Sequence, residues 1–193
     1  MPPAARQGPD FAAELAGVQE EIERLSRLVD GLLAVARAEA AVPRREPVAV
    51  RAVAAERVAA WEPVAQENGQ DLTAAFGQAP SALLAPGERE QILDNLIANA
   101  LAAVPEGGHV RVESEADRER VRIRVVDDGP GMSEQAKQAA FRRFGHSGGT
   151  GSGLGLAIVY RLVTANGGEI GLEDTDGGGL TVAITLPATS ANP

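Results

Sequence analysis

The chain has 193 residues, 44% of them apolar and only 3% aromatic, with no cysteine and a formal net charge of −9. That composition supports one core of Ala, Val, Leu and Ile plus an additional segment, and it excludes disulfides, thiolate metal sites and cysteine nucleophiles. The acidic balance argues against nucleic-acid binding led by phosphate contacts, and no run of 18 apolar residues is present to span a bilayer.

Residues 1–10, MPPAARQGPD, carry no signal-like apolar stretch and read as a flexible tail. Over residues 11–41, Leu15, Val18, Ile22, Leu25, Val29, Leu32 and Ala36 step alternately by three and four. This is a heptad seam on one long helix, running roughly 46 Å. A seam of that length needs partner helices; the alternative is an ordinary surface helix. Prolines stop the pattern and mark a linker at 42–48. A mixed α/β domain is expected over 49–188, followed by a short tail at 189–193. Within it the pattern predicts a short strand at 48–52, a helix at 53–68 around Trp61 and a strand at 71–76. A helix at 87–104 follows, stopped by Pro105, then two strands at 108–115 and 119–126 joined as a hairpin through ADR. A helix at 152–165, stopped by NGG, and strands at 168–173 and 180–186 complete the domain.

Three stretches carry candidate chemistry. In the helix EREQILDNLIANALAAV, Ile92, Leu93, Leu96, Ile97, Ala100, Leu101 and Val104 form an apolar face. Asn95 and Asn99 sit one turn apart on its edge, although Asn is a poor helix former. They could line a cleft and offer amide oxygens to Mg²⁺, or they could be two solvated amides. In VRIRVVDDGPGM the strand ends at Asp127, with Gly129 and Gly131 around a proline. That carboxylate could accept hydrogen bonds from an amino group, or the stretch could be a plain D-G turn. In GGTGSGLGLAIV, Gly151, Gly153 and Gly155 open an apolar run. No lysine follows as a P-loop requires, Lys137 being the only one in the chain, and Leu154 breaks the dinucleotide spelling. A flexible loop before a packed helix remains open.

Taken together and in this order, the three stretches resemble the ATP-binding domain of sensor histidine kinases. These kinases belong to the superfamily shared by DNA gyrase, the heat-shock chaperone and mismatch-repair ATPases. ILDNLIANA looks like the N box, DDGPGM the first glycine box, FRRF (141–144) the F box and GTGSGLGLAIV the second glycine box. ERLSRLVDGLLAVARAEA (23–40) is similar to the second helix of the dimerisation and phosphotransfer hairpin. The resemblance implies a two-layer α/β sandwich of the Bergerat type, a mixed sheet packed on helices, preceded by a dimerisation helix.

It also implies ATP and Mg²⁺ as cofactors. Asn99 would hold Mg²⁺ with Asn95 supporting it, and these two would be the catalytic residues. Asp127 would accept from the adenine amino group, with Gly129, Gly131 and Met132 around the base. Residues 133–150 would form a lid carrying Arg143, and Gly151, Ser152, Gly153, Leu154 and Gly155 would approach the phosphates at a helix start. Where gyrase-like relatives have a catalytic Glu, this chain has Asn95, which favours a kinase over a hydrolase. Ala102 replaces a basic residue common in the family.

The phosphoryl acceptor would be a histidine on a hairpin helix not present here, since His109 and His146 lie elsewhere. The chain is therefore expected to bind ATP without phosphorylating itself. Implied partners are the histidine-bearing helix of a parent kinase, a response regulator and, in that parent, a second copy forming a homodimer, with no nucleic acid. The expected location is the cytoplasmic portion of a membrane-anchored parent. The rival readings are an anti-sigma-factor-type serine kinase and a degenerate nucleotide-binding or dimerisation module.

Overall fold

The computed structural model describes residues 45–77, 81–85, 87–117, 119–141 and 155–189. The heptad helix expected at 11–41 lies outside the described residues. In chain order the elements are β1 (Glu46–Ala49), α1 (Val50–Glu67), β2 (Asp71–Phe76), β3 (Ser81–Leu84), α2 (Glu88–Ala103), β4 (His109–Ala116) and β5 (Arg120–Asp127). They are followed by α3 (Glu134–Ala139), α4 (Gly155–Ala165), β6 (Glu169–Asp174) and β7 (Leu180–Thr189).

The strands form one mixed sheet in the order β1-β3-β7-β5-β4-β2, with β6 also paired to β7. Only β2 and β4 run parallel. The expected β4–β5 hairpin forms, with Val112 opposite Val125 and Ser114 opposite Ile123. Asp117 closes its turn by accepting from the Glu119 and Arg120 N–H groups, each at 2.8 Å.

Alternation divides the sheet into two faces. Val110, Val112, Val121, Ile123, Val125, Val182, Ile184 and Leu186 point to one side and are buried. The apolar stripe of α2 lies on them together with Val159, Leu162 and Val163 of α4. Every residue of the expected α2 stripe, from Ile92 to Val104, is buried. The opposite face of the sheet carries charge. Arg111 and Arg124 pair with Glu113, Arg122 with Glu115, Arg120 with Glu169 and Arg124 with Glu173, at 2.8–3.8 Å.

Side chains set the position of α2 along and about its axis. It starts after Gly87, in the left-handed region at φ 83°. Near its end, buried Gln70 donates to the carbonyls of Leu101 and Val104 at 2.9 and 2.8 Å, which the helix itself cannot satisfy. On the flank facing α1, Asp94 Oδ1 accepts from Trp61 Nε1 at 2.8 Å and from Arg57 Nε at 2.9 Å. Helix α4 lies antiparallel beside it. Asn166, just past the end of α4, donates to Glu88 at the start of α2 at 2.8 Å, while Gly155 at the start of α4 lies against Asn95 and Asn99.

Several boundaries differ from expectation. β1 occupies residues 46–49 and overlaps the expected linker, and α1 starts at Val50 rather than at 53. The alternation of Val48 and Val50 continues as burial, but the chain has already turned helical at Val50. Strand β3 was not expected: its four residues are held by neighbours distant in sequence, β1 and the last two residues of β7. Helix α4 is described from Gly155, so residues 152–154 of the expected helix lie outside the described residues. Replacing Asp94 by Ala removes both bonds from α1 and is expected to cost about 1–2 kcal/mol in denaturant unfolding.

Candidate functional site

The C-terminal half of α2 is the spine of the site. Asn95, half-buried, donates from Nδ2 to the Gln91 carbonyl at 2.7 Å, which turns its amide oxygen outward. A Cβ on Gly155 would lie 2.9 Å from both amide atoms of Asn99 and 3.2 Å from Asn95 Oδ1. The first residue of α4 therefore approaches these two amides as closely as it does only because it is glycine. Asn99 is exposed and makes no side-chain hydrogen bond to a described residue. One turn further along α2, the Ala103 carbonyl lies 3.0 Å from where a Cβ on Gly129 would be. Two of the three motifs thus meet one helix from two sides.

Asp127 is the last residue of β5 and is only 4% exposed. Its Oδ1 accepts from the Gly129 N–H at 3.0 Å and from the Leu180 N–H at 3.1 Å. Neither bond uses Oδ2. Burial raises the carboxyl above its ordinary value, opposed by these two N–H bonds, and the charge of Asp128 adds to the rise. The neighbouring Asp128 shifts downward, chiefly because it accepts from the His109 N–H and then from the His109 ring. One carboxyl is thus dry and oriented, and the next is solvated and firmly ionised.

The turn before β7 closes over Asp127. Gly179, at φ 105°, packs so tightly on the Asp127 carbonyl that no side chain fits. A Cβ on Gly131, at φ 70°, would meet the Gly179 carbonyl at 3.0 Å. The DDGPGM loop and the DTDGGG turn therefore touch backbone to backbone. Met132 is half-buried against the core. Residues 133–150, expected as a lid, open with α3, capped by Ser133. The Lys137 ammonium is buried and bonded to Glu134 at 2.7 Å and to Asp174, at the end of β6, at 2.8 Å. Its pKa rises, mainly through the Asp174 bond and then through Glu134.

Of the expected site residues, Asn95, Asn99, Asp127, Gly129, Gly131, Met132 and Gly155 fall among the described residues, and the structure gathers them along α2 and the end of β5. Arg143, Gly151, Ser152, Gly153 and Leu154 lie outside the described residues. Sequence reading missed Gly179, Leu180 and Lys137. Three consecutive glycines at 177–179 were the available signal for Gly179. No group of three or more His, Asp or Glu side chains among the described residues is arranged to hold a metal.

The family model for histidine kinase-, DNA gyrase B- and HSP90-like ATPases matches residues 87–190. The chain belongs to this family. It is 38% identical to the sensor protein KdpD of Mycobacterium tuberculosis, over 95% of this chain and 22% of that protein. It is 33% identical to the sensor protein kinase PmrB of Pseudomonas aeruginosa, over 92% of this chain and 39% of that protein. Among solved structures, full-length ShkA in complex with AMPPNP superposes with a TM-score of 0.73 at 31% identity, covering 98% of this chain and 41% of that one. The chain spans about a fifth of the length of the curated relatives it matches first. No helix among the described residues is long and apolar enough to cross a membrane.

Gly179→Ala forces a Cβ into the Asp127 carbonyl at a positive φ, and is expected to cost about 2 kcal/mol or more in denaturant unfolding. Gly177→Ala also sits at positive φ (91°) but meets open space, and is expected to cost about 1 kcal/mol.

Proposed function

We propose that this chain is the ATP-binding catalytic domain of a sensor histidine kinase, delivering the γ-phosphoryl group of ATP to a histidine on the phosphotransfer helix of its parent protein. The observation that carries the nucleotide reading is Asp127: a buried carboxylate with Oδ1 fixed by two backbone N–H groups and Oδ2 left over. An exocyclic amino group such as that of adenine is a donor matched to that oxygen. Gly129 and Gly131 let the turn after Asp127 pack against the Ala103 and Gly179 carbonyls, which fixes the backbone beside that oxygen. Met132 lies beside it as an apolar wall.

One turn before Ala103 on α2, Asn99 presents its amide close to the start of α4. Helix starts favour anions through their unpaired N–H groups and dipole, which places the phosphates there in this reading. An amide oxygen is a hard neutral donor that suits Mg²⁺ bound mainly through water and phosphate oxygens. When bound, Mg²⁺ would neutralise phosphate charge. Asn95 would orient this edge through its amide oxygen, and an amide cannot abstract a proton from water, so nothing at this position promotes hydrolysis. What the chain contributes to phosphoryl transfer is alignment and fixed dipoles.

Its own histidines do not fit the acceptor role. His109 is tied at the start of β4 to Asp128, at the far side of Asp127, and His146 lies outside the described residues. The acceptor helix, a response regulator, and a second copy of the parent as dimer partner complete the proposed assembly. The sensor-kinase names of the relatives support the kinase part of this assembly; the second copy and a cytoplasmic location beneath a membrane-anchored parent are part of the proposal.

Calorimetric titration with ADP or AMPPNP tests the reading. Binding strengthened by Mg²⁺ is expected, and Asp127→Asn is expected to weaken it roughly ten- to hundredfold. Folding raises the Asp127 pKa, so its charge costs stability at neutral pH, a cost that vanishes as pH falls below the ordinary aspartate value. The Asn variant has no such charge and is expected to melt no lower than the native chain. No binding by the native chain would leave the degenerate-module reading. Gly155→Ala gives a second test. Alanine suits a helix better by about 1 kcal/mol, yet its Cβ would displace the Asn99 amide. Unchanged or higher thermal stability with weakened, less Mg²⁺-dependent binding is the expected outcome.

A further inference from the structure

The turn that follows Asp127 is also held from β4. The last backbone pair of the β4–β5 ladder sets Val110 opposite Asp127. One residue further, the Asp128 N–H donates to the His109 carbonyl at 3.3 Å, and Asp128 Oδ1 accepts from the His109 N–H at 2.8 Å. The side chain stands in for a backbone carbonyl and lengthens the ladder by one rung. Asp128 Oδ2 also lies 2.9 Å from His109 Nδ1, while Nε2 of the same ring is 3.5 Å from Asp71 at the start of β2. The two ring nitrogens face different carboxylates, and of the two contacts only the one to Asp128 is a hydrogen bond. It fits closely: a Cβ on Gly108 would come within 3.2 Å of Asp128 Oδ1.

This matters for Asp127 because its carboxylate is oriented from two directions. Leu180 holds it from β7. Gly129 holds it from the turn, and its N–H reaches Oδ1 only if the chain bends at residue 128 as it does here. If residue 128 is released from His109, the following peptide is free to rotate, and the carboxylate keeps one of its two guides. The rung at 128 thus lies next to the residue whose carboxylate it helps to aim, and Asp128 itself is exposed.

We infer that Asp128 is a positioning residue for base selection: locked to His109, it bends the 127–129 turn so that Asp127 directs Oδ2 at an exocyclic amino group. The inference rests on the nucleotide reading of Asp127 proposed above. It separates two carboxylates adjacent in sequence into one that meets the base and one that aims it.

The test is calorimetric titration of the full chain with ADP and with IDP, which carries a carbonyl oxygen in place of the adenine amino group. A native chain that does not prefer ADP would overturn the Asp127 reading itself, whatever Asp128 does. Given that preference, Asp128→Ala is expected to weaken ADP binding about tenfold and IDP binding by less than about twofold, so the ratio of the two collapses. Asp128→Asn keeps an oxygen acceptor for the His109 N–H and is expected to restore most of the ratio. A native ratio in Asp128→Ala, or equal loss in the Ala and Asn variants, would overturn the positioning role. So would a parallel fall for both nucleotides, which is what simple loosening of the fold produces. Should Asp128→Ala fail to fold by circular dichroism, His109→Ala carries the test. It removes the ring contact and keeps the backbone bond, so an intermediate ratio is expected and an unchanged one would refute the inference.

Discussion

A carboxylate can be buried at the end of a strand only if hydrogen bonds replace the water it loses. The rest of the site is arranged around that requirement at Asp127. Its two N–H partners come from opposite directions in the chain, Gly129 immediately downstream and Leu180 from the last strand. To bring Leu180 so near, the turn before β7 must lie directly on the Asp127 backbone. Hence Gly179 has no side chain, and Gly131 has none where the same turn crosses it. The glycines here are the consequence of a backbone-to-backbone contact that one buried charge demands.

Helix α2 is the second constraint. Its buried stripe fixes it to the sheet, Gln70 holds its end, Asp94 ties it to α1, and Glu88 ties its start to the end of α4. These contacts leave one flank of its second half uncommitted, and that flank carries Asn99. A helix held at so many points presents its free amides with little entropy left to lose, which is how a rigid element serves a site better than a loop does.

What could be read from the sequence was whatever repeats locally. The α2 stripe has a helical period over four turns, so its buried face was legible residue by residue. The β4–β5 hairpin alternates cleanly on both strands. Asp127 and its glycines sit within five residues of one another and form a recognisable motif. What escaped reading depends on partners far along the chain. Strand β3 has four residues and no pattern of its own. Leu180 lies 53 residues from the carboxylate it holds. Lys137 falls in the stretch expected as a lid, and its partner Asp174 lies 37 residues away at the end of β6. The boundary between β1 and α1 moved because two alternating valines satisfy strand and helix burial equally well.

The outer face of the sheet has a further consequence. Its arginines on β5 lie between acidic rows on β4 and β6, each pair largely exposed and worth little to stability singly. As a surface, however, the rows are closed to flat docking. A partner laid across them would have to draw both signs of charge out of water at once, and its own side chains could offer no pairing better than the one already present. Flat docking there is therefore disfavoured relative to the helical side, on which α2 and α4 converge.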